Sequence, residues 1–577
     1  MTVVTTRRRD QVPAPRRFVP RLRALAAGHA ELIWAAIALI ATLLVTRYRW
    51  QYAHKARYPG HADPAFYYNV AQNIHAAKGQ TINYVWHFLV PQDHLTHYAF
   101  DYWLPLPSWL MALGLESGGG LTAAIDVAIL LTVLLCAAVY ALLRELTHSS
   151  WAPALGAVVV LVQPGTSRYA MQTESTIYLA AFGLCAVAAA VYARRIAWMW
   201  VPAGAFTALA TLSRSEGLLL SIAMGLSALA WTRHSRWYLR FGLLLAGYLP
   251  AMAYFFVENL RHFRTLFPPA SAAFPYITSY EELFATHVPK SLSLILGGRG
   301  LHYYVSTRER AFSALPSIMT QLITPGSFVL LLVLFGAFLG RVRPATDRWD
   351  SSQAAPDSHV RRRWLAPVYR AYRHPSVQAV LQSAWLLPGT FALLSVLLDG
   401  QLAPLVAAGA TLKSFVTIGT LLIVVAMAGL VRIRPHWWLI VIVAVILVIG
   451  PLPTLKQQTE SVVSYNNQVG QGVVGYTSKL QAEQACLHRP VVLMTRQPWE
   501  ISQATGFPTV QLPAGSLQDI MAIVRKYGVT DVLDPGIRPA FADLAAMTGP
   551  DGPLTTTATL PGGHFYRFKE TTQGASC

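Results

Sequence analysis

Charge is what this sequence has least of. Only 13% of its 577 residues are Asp, Glu, Lys or Arg, and 54% are hydrophobic. A soluble chain of this length keeps about a quarter of its residues charged, so a soluble globular protein is excluded and an integral membrane protein is left. Cysteine is also scarce, and four residues are too few for a disulfide scaffold. The composition excludes collagen, coiled coil and disorder as well. Carboxylates are in short supply too, 27 against 46 Lys and Arg, for a net charge of +19. In a soluble domain that excess raises nucleic acid as a partner. In a membrane protein the question is where the cations sit.

Crossing about 30 Å of hydrocarbon takes about 20 apolar residues, and about eleven such runs can be placed. The first, Glu31–Thr46, is too internal and lacks the small-residue cleavage site of a signal peptide, so it reads as an anchor. The others are Leu121–Leu143, Trp151–Gln163, Thr176–Ala193, Ala197–Leu212, Gly217–Trp231, Phe241–Val257, Leu315–Leu339, Val377–Leu398, Leu412–Val431 and Trp437–Leu452. Arginines precede the first run and recur in every second loop: Arg194 and Arg195, Arg233, Arg236 and Arg240, Arg361 to Arg363, Arg432 and Arg434. By the positive-inside rule the N-terminus is cytoplasmic, and an odd number of crossings puts the tail outside a plasma (inner) membrane. The net charge is therefore topogenic, and no nucleic-acid partner is expected.

The expected organisation is a basic cytoplasmic tail at 1–30 and a polytopic α-helical unit at 31–452. An extracytoplasmic soluble domain follows at 453–577. Function should lie in the outer loops 47–104 and 258–314 and in the tail, all too long to be connectors. The long inner loop 341–375 reads as a solvated linker with a surface helix at Arg362–Tyr372. After Pro453 apolar runs shrink to strand length at Val491–Thr495, Thr509–Leu512, Asp531–Leu533 and His564–Phe568. With a helix at Ser516–Tyr527 they suggest a small α/β domain.

The first outer loop is chemically the densest, with Asp63, Asp93 and Asp101 beside His61, His87, His94 and His97. Phe66, Val70 and Ile74 recur at a spacing of four, which predicts an amphipathic helix opening at Asp63. Asp63 before Pro64 fits an N-cap with proline at the first helical position. A carboxylate there is also well placed as a base. Its aromatics, among them Trp86, Tyr98, Tyr102 and Trp103, suit either the membrane interface or stacking on sugar faces.

Asp63-Pro64-Ala65-Phe66-Tyr67-Tyr68 opens this helix, Lys78-Gly79 closes it, and Asp101-Tyr102-Trp103-Leu104-Pro105-Leu106 re-enters the membrane. With the inner anchor before them and Arg214-Ser215-Glu216-Gly217 at the outer end of a later span, these segments resemble the GT-C superfamily of polytopic glycosyltransferases, which use polyprenyl-phosphate sugars. Many relatives carry a second acidic residue where this chain has Pro64. The resemblance implies a sugar donor on polyprenyl phosphate, membrane lipid around it, and a glycan, lipid or protein acceptor outside the membrane.

Such chemistry needs a carboxylate to take the proton of the acceptor hydroxyl and cations to stabilise the departing phosphate. A single displacement inverts the anomeric centre. Asp63 is the candidate base. Glu174 and Asp101 are candidates for positioning the acceptor or a metal. Arg214, at a membrane boundary, is the first candidate for phosphate, with Arg261, Arg264 and Arg299 in the second outer loop. A divalent metal ion is a candidate cofactor, with Asp63, His94 and His97 as weak ligands. Cys136 and Cys185 read as packing residues inside spans, whereas Cys486 and Cys577 share the outer tail and are expected to pair. The competing class is a transporter or flippase of a lipid-linked substrate, but that class places ionisable groups at the bilayer midplane. Here they gather on one face.

Overall fold

The computed structural model describes residues 18–231, 237–270, 280–286, 316–340, 386–391, 409–533, 543–560 and 563–572, with isolated positions 302, 306, 313, 393, 394 and 541. Arg299, Cys577, the expected helix at Arg362–Tyr372, most of the expected span Val377–Leu398 and the arginines before Phe18 lie outside the described residues.

The helices run α1 (Phe18–Ala53), α2 (Asp63–His75), α3 (Leu106–Leu115), α4 (Gly120–Thr147), α5 (Ala152–Val162), α6 (Pro164–Tyr169), α7 (Thr176–Tyr192), α8 (Trp200–Ser213), α9 (Gly217–Ala230) and α10 (Trp237–Phe263). They continue as α11 (Pro325–Gly340), α12 (Gly409–Ile433), α13 (Trp437–Ala444), α14 (Leu452–Leu487), α15 (Pro498–Thr505), α16 (Leu517–Tyr527) and α17 (Leu544–Thr548). Among the described residues, five helical stretches are long and apolar enough to cross a membrane: His29–Ala53, α4, α10, Phe415–Ile433 and Trp437–Leu487. Pro316–Leu322 and Pro325–Ala337, bent by 113°, together make a sixth. Four further apolar helices, α3, α5, α7 and α9, are shorter. All eleven residues of α5 are buried, so its apolar composition answers to neighbouring helices and not to lipid.

Small residues let two helices meet at the backbone. A Cβ on Gly204 of α8 would lie 2.0 Å from the Leu244 carbonyl oxygen, and one on Gly247 of α10 would lie 1.9 Å from that of Val201. Glycine is therefore required on both sides of the contact, the usual device for close approach where lipid gives no hydrophobic drive to helix pairing.

The composition change after Pro453 falls at the first turn of α14, a 36-residue helix that carries the last apolar stretch onward. It ends at a six-stranded sheet in the order β2-β5-β4-β6-β8-β7, where β4 is Leu493–Thr495, β5 Thr509–Gln511, β6 Asp531–Leu533, β7 Leu554–Leu560 and β8 Gly563–Phe568. The edge strand β2 (Tyr84–Val85) comes from the first loop and pairs in parallel with β5, Tyr84 opposite Thr509 and Val85 opposite Val510. Two other short loop strands, β1 (Thr81–Ile82) and β3 (His97–Tyr98), pair antiparallel. The loop and the tail thus share one sheet, and Val85 sits in the tail's own core beside Met494, Val510 and Ile520.

Candidate functional site

The segment that leads into α2 is held along its length by α14. The Tyr52 hydroxyl donates to Glu460 at 2.6 Å. Asn467 accepts from the Arg57 amide at 2.7 Å and donates to the Lys55 carbonyl at 2.8 Å, and Asn466 donates to the Pro59 carbonyl at 3.0 Å. These bonds fix where Asp63 emerges.

Asp63 is the first residue of α2 and not its cap. The cap residue is Ala62, with a positive φ of 55° and no side-chain cap bond. The aspartate carboxylate is engaged elsewhere: Lys413 Nζ, near the start of α12, donates to Asp63 Oδ2 at 2.8 Å. The same ammonium lies 2.6 Å from Glu174 Oε2, and the other Glu174 oxygen accepts the Thr176 hydroxyl. Burial acts to raise the Asp63 pKa, but Lys413, Arg214 and His61 outweigh it and hold the carboxyl below its ordinary value. Burial and the Asp63 charge both push the Tyr67 phenol up, so it stays protonated.

Arg214 joins this group from the C-terminus of α8. Its Nε and Nη2 donate to Glu216 Oε1 at 3.1 and 2.8 Å, and Nη1 donates to Ser175 at 3.2 Å. A guanidinium has five N–H donors, so this pairing leaves N–H groups over for an incoming oxyanion. Asp63, Glu174, Arg214 and Lys413 therefore form one charged cluster at the end of the helix bundle, built from the ends of α2, α7, α8 and α12. Lys413 is the member that sequence reasoning missed. It stood at the start of an apolar run read as a span, and an ionisable residue in such a place is a functional signal in itself.

The other candidates lie elsewhere. Asp101 is buried against His87 at 3.3 Å and Gln92 at 2.8 Å, and its carbonyl accepts from the Ala270 amide at 3.1 Å. It ties the first loop to the segment after α10. Arg261 pairs with Glu258 at 2.9 Å beside a cavity of about 480 Å³ lined also by Ile74, at the opposite end of α2 from Asp63. Arg264 is exposed just after α10. His94 is exposed and His97 sits on β3, so the spacing of three between them does not place the two on one face of a helix. Among the described residues no group of three His, Cys, Asp or Glu side chains is assembled for a metal.

The loop aromatics pack on one another and on the tail. Trp86 stacks on Trp103 at 4.2 Å between ring centroids, Phe66 lies 4.2 Å from Trp103, and Trp499 of α15 meets Trp86 at 5.6 Å. Trp86 and Trp499 are buried.

Residues 104–258, which include Glu174 and Arg214, match the dolichyl-phosphate-mannose-protein mannosyltransferase family. In fold the chain is similar to ArnT from Cupriavidus metallidurans bound to undecaprenyl phosphate, with a TM-score of 0.52 at 14% identity over 95% of this chain and 98% of that one. The Archaeoglobus fulgidus oligosaccharyltransferase in its apo form aligns with a TM-score of 0.49 at 13% identity over 87% of this chain and 69% of that one. No curated protein matches the chain in sequence. Residues 104–258, in the middle of the bundle, thus match a mannosyltransferase family, and the chain as a whole shares the fold of ArnT.

Proposed function

We propose that the chain transfers a monosaccharide from a polyprenyl-phosphate donor to an extracytoplasmic acceptor with inversion, the N-terminus being cytoplasmic and the tail outside an inner membrane. The observation that carries this reading is the convergence of Asp63, Glu174 and Arg214 at one end of the bundle. The ArnT structure it resembles carries undecaprenyl phosphate, which supports a donor of that lipid class. Asp63 stays ionised and accepts the proton of the acceptor hydroxyl as the new O–C1 bond forms and the C1–O bond to phosphate breaks. A base held below its ordinary pKa is a weak one, which suits a proton transfer that lags behind departure of the leaving group. Arg214 offers its remaining N–H groups to the departing phosphate.

The test is consumption of a panel of undecaprenyl- and decaprenyl-phosphate sugars by purified protein in detergent, followed by mass spectrometry. One sugar should be consumed by the wild type, and Asp63→Asn should lower turnover by about 10²–10⁴-fold while the variant stays folded. Wild-type turnover by a folded Asn variant removes Asp63 from the mechanism.

A further inference from the structure

A GT-C site whose acidic pair faced an empty gap would suit a divalent cation bridging the two carboxylates. The residues here do not fit one. Lys413 Nζ stands 2.8 Å from Asp63 Oδ2 and 2.6 Å from Glu174 Oε2. Metal–oxygen bonds of about 2.0–2.6 Å to both oxygens would put the ion in the space of an ammonium of the same sign. The second Glu174 oxygen is already committed to Thr176, and Arg214 faces Glu216. The two nearest carboxylates thus have cations of the protein's own.

We infer that this chain works without a divalent metal, Lys413 being the cation held between Asp63 and Glu174. Its role at the phosphate rests on the transfer reading above. An ammonium has three N–H donors; one is donated to Asp63 while Glu174 Oε2 lies in ion-pair contact, which leaves N–H capacity for a phosphate oxygen. As C1–O breaks, its electron pair passes to that oxygen and the acceptor proton passes to Asp63. The ammonium then faces the developing negative charge in a water-poor setting, where a fixed cation counts most.

Electron paramagnetic resonance of Mn²⁺ added to purified full-length protein decides the matter, and it needs no substrate. The wild type should bind no Mn²⁺ that depends on Asp63. Lys413→Ala, which empties the gap between the carboxylates, should gain one Mn²⁺ site that Lys413→Ala/Asp63→Asn loses again. With an active donor in hand, chelator-treated wild type should keep its rate, and Lys413→Ala should lose about 10²–10³-fold in kcat. A wild-type Mn²⁺ site abolished by Asp63→Asn overturns the inference, as does a fall of about tenfold or more on chelation that Mn²⁺ or Mg²⁺ restores. Should no polyprenyl-phosphate sugar be consumed at all, the transfer reading fails while the Mn²⁺ measurement still decides the metal question.

Discussion

Glu500 of α15 accepts the Ala62 amide at 2.8 Å and pairs with His61, and so caps α2 from the other end of the sequence. A helix N-terminus leaves amide groups that some acceptor must satisfy. The Asp63 carboxylate would ordinarily serve, but Lys413 engages it, and a buried carboxylate from the tail takes the role instead. The His61 imidazole is lowered by burial yet raised overall by Glu500 and Asp63, so the pairing favours its protonated form.

Replacing this cap should therefore be felt at Asp63. Glu500→Ala removes an N-terminal acceptor, a loss of about 0.5–2 kcal/mol in helix stability, and frees His61 as well. Glu500→Gln keeps an oxygen for Ala62 but weakens the hold on His61. Turnover should fall in the order wild type, Gln, Ala, with the acid limb of the pH–rate profile moved in Glu500→Gln. Equal rates for all three at matched expression and melting temperature would show that the tail does not position α2.

Arg214 invites a test that separates two roles. Arg214→Ala deprives buried Glu216 of its cation, and breaking a buried pair costs about 3–5 kcal/mol, so poor folding alone says little. In Arg214→Ala/Glu216→Gln that charge is gone. The double variant should fold, yet its KM for the lipid donor should rise for every acceptor alike. Full recovery of donor use by the double variant would confine Arg214 to pairing with Glu216.

The legible parts of this molecule are those with local signals. Phe66, Val70 and Ile74 announce α2, and the short apolar runs of the tail announce β4, β5, β6 and β8. What joins these parts was not legible. Lys413 is 350 residues from Asp63, and no periodicity links them. β2 is two residues long and owes its existence to an edge offered by β5, more than four hundred positions on. β7 reads Leu-Thr-Thr-Thr-Ala-Thr-Leu; its threonines suit a strand, but as an edge strand of the sheet it lacks the apolar run that marks the others. Treating the tail as separate from the loop also hid Glu500, whose meaning appears only once the two share a sheet.

The cysteines offer a check on the tail. Cys136 and Cys185 are free and buried, while Cys486, in the last turn of α14, is disulfide-bonded. The expected partner is Cys577. A non-reduced peptide digest should contain the cross-linked pair, and closing a loop of about 90 residues should add a few kcal/mol to the tail. Alkylation of Cys577 without reductant would dismiss the pairing.

Asp531 gives a pH dependence of known sign. It lies fully buried on β6, and burial, with a contribution from the Glu483 charge, raises its pKa to about 6 against the pull of Thr530, Arg567 and Lys479. An acid whose pKa is higher folded than unfolded binds its proton more tightly in the fold. Below about pH 4 both states are protonated and the group is neutral to stability. Between about pH 4 and 6 the unfolded chain ionises first and stability falls. Above about 6 the full penalty stands, about 3 kcal/mol for a shift of about two units. Asp531→Asn removes the ionisation, so it should raise the thermal midpoint of the tail at pH 7 and leave it nearly unchanged at pH 4. A lower midpoint at pH 7 would mean that the carboxylate's attraction to Arg567 outweighs its desolvation.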